Sequence, residues 1–248
     1  MIGALRSELF KLRTTRATKV VWGSAVVLPS IITILTAMFG FDDTTTDPLI
    51  VFVGGSAALV GLLMGVVGVL CSTQEYSQGT IRITLVATPH RAVVLGAKAL
   101  TVVVASAVGT AVMVLLSVVP SAVVLSSRGI DLALIGDHSR IVVSIFIVTV
   151  FLGELGLFLG VVFKSSPGAI SALLLWPTII EGLIFGLLSL AFDDNVMRYA
   201  PVSGNGFSLV NAQRFSEDNS WYVSFGYFAA FVSVFVVLGS VLFNRRDA

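Results

Sequence analysis

The hydrophobic pattern of this chain consists of long, uninterrupted apolar runs rather than short periodic stripes. A helix of about 20 apolar residues matches the roughly 30 Å hydrocarbon core of a bilayer. The runs predict six transmembrane helices, which cover residues 20–39, 49–71, 92–125, 141–163, 168–192 and 221–243. We therefore expect an all-α integral membrane protein in which residues 1–248 form a single membrane domain.

The composition supports this prediction and narrows the chemistry. Hydrophobic residues make up 56% of the chain and charged residues only 12%, whereas soluble domains carry about 25% charged residues. The net charge of +1 provides no basic face for nucleic acid. The single cysteine, Cys71, excludes an internal disulfide and is interpreted as a small apolar residue. The two histidines, His90 and His138, have no neighbouring ligands in sequence, so no metal site is expected.

Charge predicts the orientation. With six spans both termini lie on one side, and most of the lysines and arginines fall on that side, whereas the acids collect on the other. Because basic residues are retained in the cytoplasm, the bias predicts a multi-pass protein with both termini cytoplasmic.

Two segments outside the spans have their own patterns. Before the first span, Leu5, Leu9 and Leu12 recur at helical spacing among basic residues, which predicts an interfacial helix over residues 1–19; the alternative is a plain extension of the first span. On the other side, apolar residues interleave with polar ones over residues 193–220. We expect short helices that dip into the membrane there, with a simple loop as the alternative.

Between spans two and three, residues 73–90 predict a cytoplasmic elbow with a short amphipathic helix. Gly79 permits a sharp turn. Thr88 and Pro89 suit the N-cap and the first position of the next helix.

Small residues occur at helix-packing spacing within the spans. They allow close approach of helices in lipid, where no hydrophobic force drives association. The series is Gly54, Ala58, Gly61, Gly65, Gly68 and Ser72, and the motif Gly-x-x-x-Gly occurs at 156–160 and at 182–186.

The elbow and the start of the next helix also resemble the sequences of a known protein family. The pattern resembles permease subunits of ATP-binding-cassette transporters of the type-2 exporter family, in particular actinobacterial-type members. Its residues are Glu75, Gly79, Thr80, Ile81, Arg82, Leu85, Thr88, Pro89, Arg91 and Lys98. Further stretches that resemble the family are ELFKLRTTRATK near the start, LGELGLFLGVVFKSSPGAI with LWPTIIEGL in spans four and five, and RYAPVSGNGFSLV before the last span.

This resemblance implies a six-span permease in a bacterial plasma membrane. It also implies an ATPase-coupling helix in the elbow, which docks on a separate ATPase subunit. Two ATPases and two permeases would form the exporter, and we expect the two permeases to be a homodimer. The coupling residues it implies are Glu75, Gly79, Thr80, Arg82, Thr88 and Pro89.

The chain itself has no phosphate-binding loop of the form GxxxxGK[ST], so it is not expected to be an enzyme or to bind a cofactor. ATP and Mg²⁺ would be bound by the partner subunit. Membrane lipid is the other expected contact, and the sequence does not indicate the exported substrate.

Two glutamates fall near the middle of spans, where a charged carboxylate is costly and therefore faces protein or a cavity. Glu181 follows Pro177 by one helical turn, and we predict that both line the translocation path or the permease–permease seam; the alternative for Glu181 is a protonated acid that is hydrogen-bonded inside the bundle. Glu154, beside Gly153 and Gly156, is predicted to lie in the same path or seam or to be bonded inside the bundle. Alternative functions are a proton-coupled secondary transporter that uses Glu154 and Glu181, or a non-transporting scaffold or immunity subunit.

Overall fold

The computed structural model describes residues 2–39, 48–87, 90–127, 139–192, 196–210 and 220–245. Every regular element in these ranges is helical, and six helical segments are long and apolar enough to cross a membrane: Arg16–Phe39, Ser56–Ser77, Arg91–Val124, Arg140–Phe163, Ser166–Phe192 and Trp221–Arg245. The protein is therefore an all-α membrane protein with six spans, as predicted.

In chain order, the described α-helices are α1 (Ile2–Thr14), α2 (Arg16–Phe39), α3 (Pro48–Ser77), α4 (Ile81–Ala87), α5 (Arg91–Ser127), α6 (Ser139–Phe163), α7 (Ser166–Leu175), α8 (Glu181–Phe192) and α9 (Trp221–Arg245). A π-helical turn, Trp176–Ile180, joins α7 to α8 within the fifth span. Before α9, three short pieces follow one another: Val196–Tyr199, Pro201–Gly206 and Phe207–Val210.

The spans alternate in direction, so their ends form two surfaces. At one surface, which we call the basic end, α2, α5 and α7 begin and α3, α6 and α9 end; for example, Arg91 at the start of α5 donates from Nη1 to the carbonyl oxygen of Phe243 near the end of α9, at 3.1 Å. At the opposite end, the Trp221 indole at the start of α9 donates to Ser144 Oγ near the start of α6, at 2.8 Å.

The centre of the bundle is the close packing of α3 on α6. A Cβ atom added at Gly68 would overlap the carbonyl oxygen of Gly153, and one added at Gly156 would overlap that of Gly65. The two backbones therefore touch; the small-residue pattern predicted close helix packing, and the structure shows which two helices make it. Gly54 lies among residues whose side chains are not described.

Hydroxyl groups join the remaining central helices. The Thr110 and Thr149 hydroxyls of α5 and α6 lie 2.8 Å apart. Ser117 of α5 donates to Ser30 of α2 at 3.2 Å, and the Trp22 indole of α2 donates to the carbonyl oxygen of Ala105 at 3.0 Å. In the hydrocarbon interior of a membrane, such hydrogen bonds give helix association a specificity that apolar contacts alone do not provide.

The second Gly-x-x-x-Gly motif behaves differently. Cβ atoms added at Gly182 and Gly186 would meet nothing within 4 Å. Neither glycine of this motif therefore packs against another of the described helices, so the two motifs, equivalent in sequence, differ in packing.

This difference is testable with matched variants. Gly156→Ala should destabilise the protein by about 1–3 kcal/mol, because the added methyl overpacks the α3–α6 contact. Gly182→Ala should be neutral or slightly stabilising, by up to about 1 kcal/mol, because alanine favours the helix. Thermal unfolding of the purified chain in detergent measures both, and equal effects of the two substitutions would contradict the packing described.

Candidate functional site

Four charged side chains from three helices meet at the basic end. Lys98 of α5 places its Nζ 2.8 Å from Glu8 Oε2 and 3.1 Å from Glu75 Oε2. Lys11 of α1 places its Nζ 2.7 Å from Glu8 Oε1 and 2.5 Å from Glu75 Oε1. Each lysine thus bridges the same two glutamates, and we call these four residues the ion cluster.

Burial makes the ion cluster unusual. The side chains of Lys98 and Glu8 are only 2% and 3% exposed, and that of Glu75 is 7% exposed. Ions removed from water are tolerated only when partners compensate them. Here two positive and two negative groups balance, and Lys98 also donates to the carbonyl oxygen of Cys71 at 3.2 Å.

Lys11 forms the outer edge of the cluster, with 42% of its side chain exposed. Partial desolvation lowers the pKa of Lys11, but its hydrogen bonds to Glu75 and Glu8, together with their charges, outweigh this effect and raise the pKa above its usual 10.5. The amine is therefore positively charged at neutral pH, as the cluster requires.

The ion cluster holds the elbow between the second and third spans. Glu75 lies in the last turn of α3, and its carbonyl oxygen accepts from the Thr80 amide at 3.0 Å. Gly79 provides the turn with φ of +66°, a conformation that glycine adopts without strain, as predicted. Beyond it, Thr84 Oγ1 of α4 lies 3.5 Å from Glu75 Oε1, and Ile81 is buried against α5 and α6.

The predicted coupling residues therefore occupy different places. Glu75 is directed into the bundle, where it is paired with the two lysines, and Arg82 is exposed on α4. Gly79 and Thr80 form the turn between them. Thr88 and Pro89 lie outside the described residues; the next helix begins at Arg91, and the amides of Val93 and Val94 bond to the carbonyl oxygen of His90.

Glu8 was not among the residues singled out from the sequence, although it is the most buried residue described on α1. A signal was present: Glu8 is three residues from Leu5 and four from Leu12, so it shares the apolar face of the helix. An acid on an apolar face indicates a buried partner. That partner, Lys98, is 90 residues away, and only tertiary structure brings the two together.

A second buried carboxylate lies in the fifth span. Glu181 is fully buried, and Oε1 accepts from the Trp176 indole at 2.7 Å and from the Val202 amide at 3.0 Å. Oε2 accepts from both the amide and the hydroxyl of Ser203, each at 2.6 Å. The indole and the two amides can only donate, so an acceptor is needed to satisfy them, and the Ser203 hydroxyl donates to the same carboxylate.

Glu181 thereby connects the fifth span to the segment before α9. Pro177 lacks an amide hydrogen, and the helix widens into the π-helical turn in which the Glu181 amide bonds to the carbonyl oxygen of Trp176. The Glu181 side chain accepts hydrogen bonds from the first amides of Pro201–Gly206, in which Val202 is fully buried. Val202, Leu209 and Val210 of the short helical pieces before α9 belong to the hydrophobic core of the bundle, and the re-entrant character of residues 193–220 stays a prediction. The assignment of Glu181 and Pro177 to a path or seam stays a prediction, and the contacts made within this chain are structural.

Glu154 contrasts with Glu181. Its side chain is half-buried on α6, and its buried Oε1 has no hydrogen-bond partner among the described residues. The sequence placed both carboxyl groups near the middle of a span, but the structure gives them opposite environments.

Comparison with known proteins adds no family. No family model matches the chain, and no curated protein matches it.

We expect Lys98→Met to destabilise the protein by about 3–5 kcal/mol, because two buried carboxylates are then left with one lysine. Lys19→Met, an exposed lysine near the same end, is the matched control and should have little effect. Adding Glu8→Gln to Lys98→Met should recover part of the loss, since one negative and one positive group remain. Thermal unfolding provides the measurement, and equal stability of the Lys98 and Lys19 variants would exclude the cluster as a stabilising element.

The two intramembrane glutamates provide another matched pair. Glu181→Gln should cost about 1–3 kcal/mol, because the amide NH₂ would face groups that already donate, and Glu181→Leu should cost more. Glu154→Gln should leave stability nearly unchanged, because Oε1 of Glu154 has no donor to lose. If the melting temperatures of the two Gln variants coincide, the described role of Glu181 is wrong.

Proposed function

We propose that the chain is the transmembrane permease subunit of an ATP-driven exporter of the ATP-binding-cassette class, type-2 family. It would lie in a bacterial plasma membrane with both termini cytoplasmic, so that the basic end is the cytoplasmic one. Two copies would pair with two ATPase subunits. The sequence resemblance at the elbow raises this proposal, and the ion cluster supports it.

The ion cluster is the observation that carries the proposal. It fastens the end of α3 to α1 and α5 through buried ion pairs of 2.5–3.1 Å. A force applied to the elbow would therefore move these three helices together. A permease needs such a connection, because its energy source acts at the membrane surface whereas the path lies between the spans.

The elbow also offers a surface for a partner. On α4, Ile83 and Val86 are 70% and 85% exposed, and Arg82 is exposed beside them. Apolar side chains flanked by a base are typical of the buried centre and rim of a protein interface. In this arrangement Glu75 holds the elbow against the bundle, and the exposed face of α4 contacts the ATPase.

The absence of a phosphate-binding loop from the whole sequence agrees with this division of labour. The driving reaction would take place on the partner, which would bind ATP and Mg²⁺. Membrane lipid would surround the apolar outer faces of the spans.

Association with an ATPase subunit provides the test. We expect the chain to co-purify with the ATPase encoded beside its gene, and Val86→Asp to abolish co-purification, because a charge would be buried in the interface. Phe10→Asp is the control, since Phe10 is also an exposed apolar residue at the basic end, on α1. The chain alone should hydrolyse no ATP. Retention of the ATPase by the Val86 variant, or loss with both variants alike, would reject the docking surface.

A further inference from the structure

Glu154 lies on the part of the α6 surface that is flanked by α5 on one side and by α9 on the other, and we call this part the crevice. On one side of it along α6, Gly153 packs on Val102 and Ser106 of α5. On the other side, Phe158 packs on Gly239 of α9, and the Phe151 ring lies 5.5 Å from that of Phe228. Since successive residues turn by about 100° around a helix, Glu154 points between these two neighbours.

The crevice is closed at the basic end. There Leu157 and Val161 of α6 are buried together with Val102 of α5 and Phe243 of α9. The Arg91 bond to the carbonyl oxygen of Phe243 joins the two walls at the same level.

Among the residues that the structure describes, burial along this face decreases towards the opposite end. The residues that share the Glu154 face of α6 are spaced by three and four positions, and their exposure rises along the helix. Val150 and Ile147 are half-buried, and Val143 is 52% exposed. A molecule within the membrane could therefore reach the carboxyl group from the side.

No described charge neutralises this carboxyl group. Lys98 of α5 is directed to Glu8 and Glu75, on the α1 and α3 side. Arg91 of α5 and Arg245 of α9 lie at the basic end, beyond the closed part of the crevice. An acceptor that is buried in apolar surroundings without a donor is costly and is retained where a ligand can supply the missing partner.

We propose that this crevice binds a lipophilic cation. The carboxyl group of Glu154 supplies the counter-charge, and Phe151, which lies nearly one turn away on α6 and is only partly buried, supplies aromatic surface for the apolar groups around the cation. Ion pairing in this low-dielectric site is strong because water does not compete. Binding of the cation at this site does not depend on the proposed exporter function, whereas its role as exported cargo does.

Binding of radiolabelled tetraphenylphosphonium to the purified chain, without any ATPase subunit, tests the site directly. We expect saturable binding to the wild type, with about ten-fold or greater weakening in Glu154→Gln. Uncharged triphenylphosphine oxide should not compete, because it cannot pair with the carboxylate. Binding that is absent, or equal in wild type and variant, would overturn the proposal, whereas loss of ATPase association would reject only the exporter function.

A carbodiimide that reacts with carboxyl groups in apolar surroundings provides an independent measurement. Mass spectrometry should find Glu154 modified, with tetraphenylphosphonium protecting it. Glu181, enclosed by four donors, should remain unmodified and serves as the internal control. Lack of reaction at Glu154, or reaction that the cation does not reduce, would contradict a cation site in the crevice.

Discussion

The constraint on which this structure depends is that a charge placed in a membrane must have its partner in the protein. At the basic end, Lys98 and Glu8 are buried almost completely, and neither would be stable alone. Their pairing, extended by Lys11 and Glu75, determines where α1 lies, where α3 ends and how the elbow leaves the bundle. The cluster joins α1, the end of α3 with its elbow, and α5 into one mechanical unit.

The same constraint acts at the opposite side of the bundle through Glu181. Its carboxylate accepts hydrogen bonds from the Trp176 indole and from the first amides of Pro201–Gly206, whose backbone groups would otherwise be unsatisfied in apolar surroundings. The sequence drew attention to Glu181 because it is a charge within a span. It could not distinguish a structural acceptor from a residue that lines a path, since the donors come from residues 21 and 22 positions away.

Glu154 is the exception to this constraint. Its Oε1 has no hydrogen-bond partner within the described ranges, and the face of α6 on which it lies is covered at the basic end and exposed towards the other. Judged from neighbouring glycines alone, it resembled a residue of a tight helix contact. That contact exists, but Gly153 and Gly156 make it on other faces of α6, against α5 and α3. The carboxyl group is thus left between two walls.

By itself, the sequence determined the spans, the N-terminal helix, the turn at Gly79 and the close packing of α3, because these follow from local hydrophobicity, backbone freedom and side-chain size. Tertiary structure alone decided which charges meet and which glycine motif packs. Glu8 and Lys98 pair across 90 residues, and Gly156 touches a neighbouring backbone whereas Gly182 does not. The physical reason is that hydropathy is a property of each segment, whereas a partner for a buried charge or a bare helix face exists only once other helices have been placed beside it.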